Sequence, residues 1–175
     1  MSAAVEIEWA VELSREPGRP HRFGFLQIRP LALGADGARL SAEDLVEGNP
    51  LITTEIPLGN GRYDDIHDIV YVPPEHFDRA VTVDIAAEVA EFNARLVAEG
   101  RPYLLAGPGR WGSADRWLGI PVRWDQIAGA QVIVETDLPD FKVTPSEGSH
   151  FFQNLTSFQV GYLTINHGKP RTVCR

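Results

Sequence analysis

Hydrophobic and polar residues alternate strictly near the start of the chain, in VEIEWAVEL (5–13). Alternation with a period of two predicts a half-buried β-strand. One face of this strand carries the apolar residues Val5, Ile7, Trp9 and Val11. A second apolar-rich segment, RFGFLQIRPLAL (22–33), follows the turn signal Pro17-Gly18. We therefore predict an antiparallel β-hairpin.

The turn sets the expected register of the hairpin. With Pro17-Gly18 at the centre of the loop, Glu8 lies opposite Gln27 and Glu6 opposite Arg29. Residues directly opposite each other share a face, so these four polar groups are expected to converge. Strand alternation also places Phe23 and Phe25 on the side of Gln27 and Arg29. A slip of one residue would send the two pairs to opposite faces.

The pattern changes after the hairpin. Residues 34–48 are small, polar and glycine-containing and are interpreted as a linker between a first part, 1–33, and a second, 49–175. In the second part, apolar runs predict strands at 51–58, 68–72, 103–107, 131–138 and 160–166. Short helices are expected at 124–130 and 149–158. Alternating strands and helices favour a small layered α/β domain, so the whole chain is assigned to the mixed α/β class.

Residues 82–99 form the clearest predicted helix. Thr82 is the expected N-cap, and Gly100 the expected end of the helix. Apolar residues recur at helical spacing and define the expected buried stripe: Ile85, Val89, Phe92 and Leu96.

Composition narrows the function classes. The chain has 175 residues and a net charge of −8, which argues against a nucleic-acid-binding surface. No apolar run reaches about 18 residues, so no membrane partner is expected. The single cysteine, Cys174, allows no internal disulfide and suits a reducing cytoplasm. An acidic chain can still bind an anionic small molecule through a local arginine.

Three segments could carry chemistry. On the hairpin, carboxylates suit hard cations such as Mg²⁺, and an arginine fork suits phosphate oxygens. The alternative for Glu6, Glu8, Gln27 and Arg29 is an exposed face with cross-strand ion pairs.

The second segment, GPGRWGS, follows an apolar strand. Its glycines could expose backbone N–H groups to an anion, with Arg110 adding charge, so Gly107, Gly109 and Arg110 are candidate ligand-binding residues. It matches neither a Walker A loop nor a GxGxxG fingerprint. The alternative is a tight connection in which Trp111 and Trp117 fill a core.

The third segment, PSEGSHFFQN (145–154), contains His150 at the expected start of a helix. There the helix dipole would favour a neutral imidazole that acts as an acceptor or base. The alternative is a packed, hydrogen-bonded histidine beside Phe151 and Phe152.

The hairpin carries a family resemblance. Glu6-Ile7-Glu8-Trp9, a turn, and Gln27-Ile28-Arg29-Pro30 resemble the closing hairpin of the ATP-grasp nucleotide-binding domain in the phosphoenolpyruvate synthase and pyruvate phosphate dikinase family. The resemblance implies ATP and Mg²⁺ as cofactors. It assigns Mg-ATP binding to Glu8 and Gln27, both as candidate metal ligands, and phosphate contact to Arg29. Residues 107–135 and 145–166 are similar to a region that follows this domain in bacterial phosphoenolpyruvate synthase-like proteins, a region without an assigned chemistry.

The resemblance implies a phosphotransferase of the pyruvate, water dikinase type, located in the cytoplasm. The family's second ATP-grasp lobe, phosphohistidine domain and barrel have no counterpart among these residues. We therefore expect a fragment that contributes Mg-ATP contacts, pairs with the rest of its own ATP-grasp domain and is inactive alone. The alternative is a non-catalytic module, centred on GPGRWGS, that binds a phosphate ligand or docks another domain. Self-association into a homo-oligomer is a further possibility.

Overall fold

The chain divides into two compact units, Met1–Leu33 and Gly34–Arg175, each considered by itself. The computed structural model describes residues 5–16, 18–30, 43, 48, 50–54, 57–58, 62–115, 117–137, 155 and 158–165. Mixed helix and strand, with an antiparallel hairpin and a parallel sheet, confirm the α/β class.

The first unit is the predicted antiparallel hairpin. Strand β1 (Val5–Glu12) pairs with β2 (Arg22–Pro30). Glu8 lies opposite Gln27, and position 6 lies opposite position 29. The predicted register is therefore confirmed for the half of the hairpin that is distant from the turn.

A β-bulge changes the register between Glu8 and Trp9, because Trp9 lies opposite Phe25 and leaves Leu26 as the extra residue of β2. The predicted register is therefore wrong for the half near the turn, where Val11 lies opposite Phe23. The bulge moves Phe23 and Phe25 to the face of Trp9, away from Gln27. The rings of Trp9 and Phe23 stack with their centroids 5.7 Å apart.

The second unit contains a four-stranded parallel sheet whose spatial order follows the chain. Its strands are β3 (Asp68–Tyr71), β4 (Tyr103–Pro108), β7 (Ala130–Thr136) and β8 (Gly161–Ile165). Between β4 and β7, the short strands β5 (Arg110–Trp111) and β6 (Gly119–Ile120) pair in parallel. The strands predicted at 68–72 and 103–107 are confirmed, and so are those predicted at 131–138 and 160–166 within their described residues. The described residues of 51–58 form no continuous strand, and Leu58 makes an isolated antiparallel bridge to Tyr162.

Helix α1 (Thr82–Ala98) connects β3 to β4, and Gly100, at φ +65°, follows its end as predicted. Thr82 is not the N-cap: it lies inside the helix, and its buried hydroxyl donates to the carbonyl of Arg79 at 3.3 Å. Single-turn 3₁₀ helices occur at Pro74–His76, Arg79–Val81 and Trp124–Gln126, the last within the predicted helix 124–130. No helix in the described part of the chain is long and apolar enough to cross a membrane.

The buried side of α1 differs slightly from the predicted stripe. It consists of Thr82, Ala86, Val89, Asn93 and Leu96. Ile85 packs at the margin of the core and Phe92 is partly exposed. Thr82 and Asn93 are buried although they are polar, so a search for apolar residues at helical spacing misses them.

The parallel sheet is covered on both faces, as parallel sheets usually are. Tyr103, Leu105 and Ile133 belong to the core cluster that includes α1. The intervening residues Ala106 and Val134 belong to a second cluster, which includes Ile52 and Ile165.

Asn93 joins three elements inside the core. Its side-chain oxygen accepts the hydroxyl of Tyr103 at 3.0 Å and the backbone N–H of Gly129 at 2.9 Å. Its amide nitrogen donates to the carbonyl of Asp125 at 3.3 Å. Burial raises the pKa of Tyr103 well above its usual value, so the hydroxyl stays protonated as a donor.

We expect Tyr103→Phe to lower the free energy of unfolding at pH 7 by about 1 kcal/mol, because one buried hydrogen bond is lost. Above about pH 10 the unfolded tyrosine releases its proton while the folded one keeps it. The stability of the wild type therefore falls there, and the difference from Tyr103→Phe narrows. Urea unfolding from pH 7 to 11 measures both effects. Tyr71→Phe, at a half-exposed tyrosine, is the control and should cost less than about 0.5 kcal/mol. A cost for Tyr103→Phe as small as this control would contradict the role of the hydroxyl.

Candidate functional site

The first candidate site is the polar face of the hairpin, defined here by Glu8, Gln27, Glu12 and Arg22 together with positions 6 and 29. Glu8 and Gln27 are exposed and directly opposite each other. Glu12 and Arg22 are also opposite each other and form an exposed ion pair at 3.9 Å. The backbone thus places the carboxylate of Glu8 opposite the amide of Gln27. It places an acidic residue opposite a basic one in the pairs 6/29 and 12/22.

The donor set of this face suits Mg²⁺ when a nucleotide is also present. Mg²⁺ takes oxygen ligands, keeps several waters and is usually held by one or two carboxylates plus substrate phosphates. Glu8 supplies one carboxylate and Gln27 one amide oxygen. No group of three or more metal-binding side chains occurs among the described residues. Phosphate oxygens of a nucleotide would supply further ligands beside Glu8 and Gln27.

The second candidate site is the GPGRWGS segment at the carboxyl edge of the parallel sheet. Ligands of open α/β sheets bind at this edge. The segment begins inside β4, with Gly107 and Pro108, and continues into β5, which contains Arg110 and Trp111. Arg110 is partly exposed.

Backbone N–H groups of this segment donate to acceptors of the protein itself. Gly109 donates to the carbonyl of Thr136, Arg110 to that of Leu118 and Gly112 to that of Ile120, each at 2.9 Å. The N–H of Trp111 donates to the carboxyl of Glu135, also at 2.9 Å. These four donors are therefore engaged in bonds within the protein.

The glycines of the segment allow close packing. A Cβ atom at Gly107 would lie 2.7 Å from the Trp111 ring, and one at Gly109 would lie 2.7 Å from the carbonyl oxygen of Leu118. Gly109 also has φ +74°, a conformation that favours glycine. Trp111 is fully buried and donates from its indole nitrogen to the carbonyl of Val134 at 3.1 Å. The alternative interpretation, in which both tryptophans fill a core, therefore holds for Trp111 and not for Trp117, which is 58% exposed.

Glu135 is a buried polar residue that the sequence analysis did not select. One carboxyl oxygen accepts the N–H of Trp111, and the other accepts the hydroxyl of Tyr162 at 2.5 Å. Glu135 is 5% exposed in a strand that is otherwise mainly apolar. The presence of a glutamate inside the apolar segment QVIVETDL could have indicated a buried polar role. Its hydrogen-bond partners, however, are 24 and 27 residues away along the chain.

The remaining predicted residues are placed as follows. His150, with residues 138–154, lies outside the described residues, and so do the side chains of Glu6 and Arg29. Because the chain divides into two units, the hairpin residues and Gly107, Gly109 and Arg110 are treated as separate candidates. Binding roles for all of these residues stay predictions.

No family model matches the sequence, and comparisons with curated proteins and with solved structures also find no match.

We expect Glu135→Leu to lower the free energy of unfolding by about 2–5 kcal/mol, because it leaves two buried donors, the Trp111 N–H and the Tyr162 hydroxyl, without their acceptor. Glu135→Gln should cost less, since the amide keeps one acceptor and gains a donor. Chemical denaturation measures both.

Glu88→Leu makes the same change at an exposed glutamate of α1 and serves as the matched control, with an expected effect within about 0.5 kcal/mol. An effect of Glu135→Leu no larger than that of Glu88→Leu would contradict the role of the Glu135 carboxyl as the acceptor of these two bonds.

Proposed function

We propose that this chain is part of a phosphoenolpyruvate synthase-like, ATP-binding phosphotransferase, in which Glu8, Gln27 and Arg29 of the hairpin contribute contacts to Mg-ATP. The observation that carries the proposal is the cross-strand register. It aligns Glu8 with Gln27 and position 6 with position 29, so the positions to which the resemblance assigns Mg-ATP contacts lie close together on the two strands.

In this proposal Glu8 is a ligand of Mg²⁺, and Gln27 orients the metal or the nucleotide. Arg29 neutralises phosphate charge, which a planar guanidinium does through paired hydrogen bonds. The bound Mg²⁺ would neutralise negative charge on the phosphate oxygens. Glu6 is a weaker candidate ligand on the same backbone face.

Phosphoryl transfer needs more groups than a two-stranded hairpin supplies, because catalysis depends on positioning and on several cations around the transferred phosphate. We therefore infer that the 175 residues bind part of the nucleotide and do not by themselves convert pyruvate to phosphoenolpyruvate. A coupled assay that detects phosphoenolpyruvate from ATP and pyruvate would contradict this inference.

We expect the chain to bind Mg-ATP and Arg29→Ala to abolish binding. Ligand that binds only the native state adds about 2.7 kcal/mol of stability at a hundredfold excess over Kd. A calorimetric titration measures binding directly, and a thermal-shift titration measures the added stability of the hairpin. Chelation of Mg²⁺ should weaken binding in the wild type and have a smaller effect in Glu8→Gln.

Arg22→Ala is the matched control. It also removes an arginine from the polar face of β2, but this arginine pairs with Glu12 and has no proposed contact with the nucleotide. Binding should survive this change. Binding that survives Arg29→Ala but is lost in Arg110→Ala would move the assignment to the GPGRWGS segment. Absence of binding to the wild type would refute nucleotide binding by this chain.

A further inference from the structure

The β-bulge places seven large apolar residues of the hairpin on one side. We call this side the apolar face, which consists of Val5, Ile7, Trp9, Val11, Phe23, Phe25 and Ile28. Their exposed fractions range from 39% at Val11 to 65% at Phe23. We propose that this face is an interface between two copies of the chain, packed against each other around a two-fold axis.

An isolated two-stranded hairpin is at best marginally stable in water, and it becomes stable when an apolar face is covered. Monomeric proteins rarely expose contiguous apolar patches larger than a few hundred Å². The apolar face is about 27 Å long, at 3.4 Å per residue, and about 10 Å wide. An apolar face of this size is expected to be covered by another protein surface.

The area matches what a dimer needs. Aromatic side chains bury about 150–250 Å² each. Burial of an aliphatic side chain stabilises by about 1.5–3 kcal/mol, which at about 25 cal/mol per Å² corresponds to about 60–120 Å². At the observed exposures the seven residues offer roughly 400–700 Å² per copy, or roughly 800–1,400 Å² for two copies. This range includes the ~1,000 Å² expected of a specific interface.

A second copy also fits the shape and charge of the face. Trp9 and Phe25 lie opposite each other near its middle, so a two-fold axis there brings the same pair against itself. Two such hairpins, about 10 Å apart, form a small β-sandwich. The seven residues carry no charge, while Glu8, Glu12 and Arg22 stay in water on the opposite side.

Each copy has a net charge of −8, so the two copies repel each other at low ionic strength. Added salt screens this repulsion between the two copies. Dimerisation should therefore become tighter between about 20 mM and 300 mM salt. The polar face remains accessible in this arrangement, so the dimer does not depend on nucleotide binding.

The first experiment compares three chains by light scattering across a concentration series. The wild type should reach twice the 19.3 kDa mass of one chain. Phe25→Glu buries an unpaired charge in the interface and should weaken the dimer by at least about a hundredfold. Gln27→Glu is the matched control: it introduces the same residue two positions along the strand, on the opposite face, and should remain dimeric.

A second experiment does not require the hairpin to tolerate a charge. In a chain with Cys174→Ser, the alkylation rate of Phe25→Cys should fall as the concentration rises through dimerisation. The rate for Gln27→Cys should stay constant, because position 27 stays in water.

Three results would overturn the proposal. A wild-type chain that is monomeric at all concentrations would show that the apolar face has a different partner or none. A dimer that Phe25→Glu leaves intact would use another surface. Equal protection of the two cysteines would contradict the separation of the two faces.

Discussion

Side chains alternate along a strand, so one extra residue reverses the face of every side chain beyond it. Leu26 is this extra residue in the hairpin. If β2 were regular, with Leu26 paired, Phe23 and Phe25 would share a face with Gln27, and aromatic and polar groups would be mixed there. With the bulge, apolar residues lie on one side and polar residues on the other. The proposed dimer depends on this separation, whereas the register expected from the turn already pairs Glu8 with Gln27.

In the parallel-sheet unit, packing of the segment between β4 and β6 depends on a buried carboxyl group. Glu135 holds the backbone of Trp111, and the Trp111 ring lies against Gly107, where a side chain would clash. The same carboxyl group accepts a bond from Tyr162 of the neighbouring strand β8. A segment that by composition is a flexible loop is therefore attached to two strands of the sheet.

Local pattern was sufficient for most elements. Alternation predicted β1 and β2, and helical spacing with Gly100 predicted the extent of α1. The bulge was not predictable from the turn, because its position is decided by which register puts Trp9 and Phe25 on one face.

The same limit applies to the candidate sites. Glycines and Arg110 in GPGRWGS are typical both of an anion loop and of a tight connection. The acceptors of the backbone N–H groups all lie outside the motif, at Thr136, Leu118, Ile120 and Glu135. The motif alone therefore does not show that these groups are engaged. Glu135 was missed for the same reason: a glutamate in a strand is recognised as buried only when its distant donors are known.

The engaged backbone of residues 109–112 has a consequence for local dynamics. Amide protons exchange with solvent only when their hydrogen bonds open, and segments that open together form one cooperative unit. Each of these four amides is bonded to strand β6, to strand β7 or to the short turn before β6. The segment should therefore exchange as slowly as the central strands, and a ligand that required its backbone would first have to break part of the sheet.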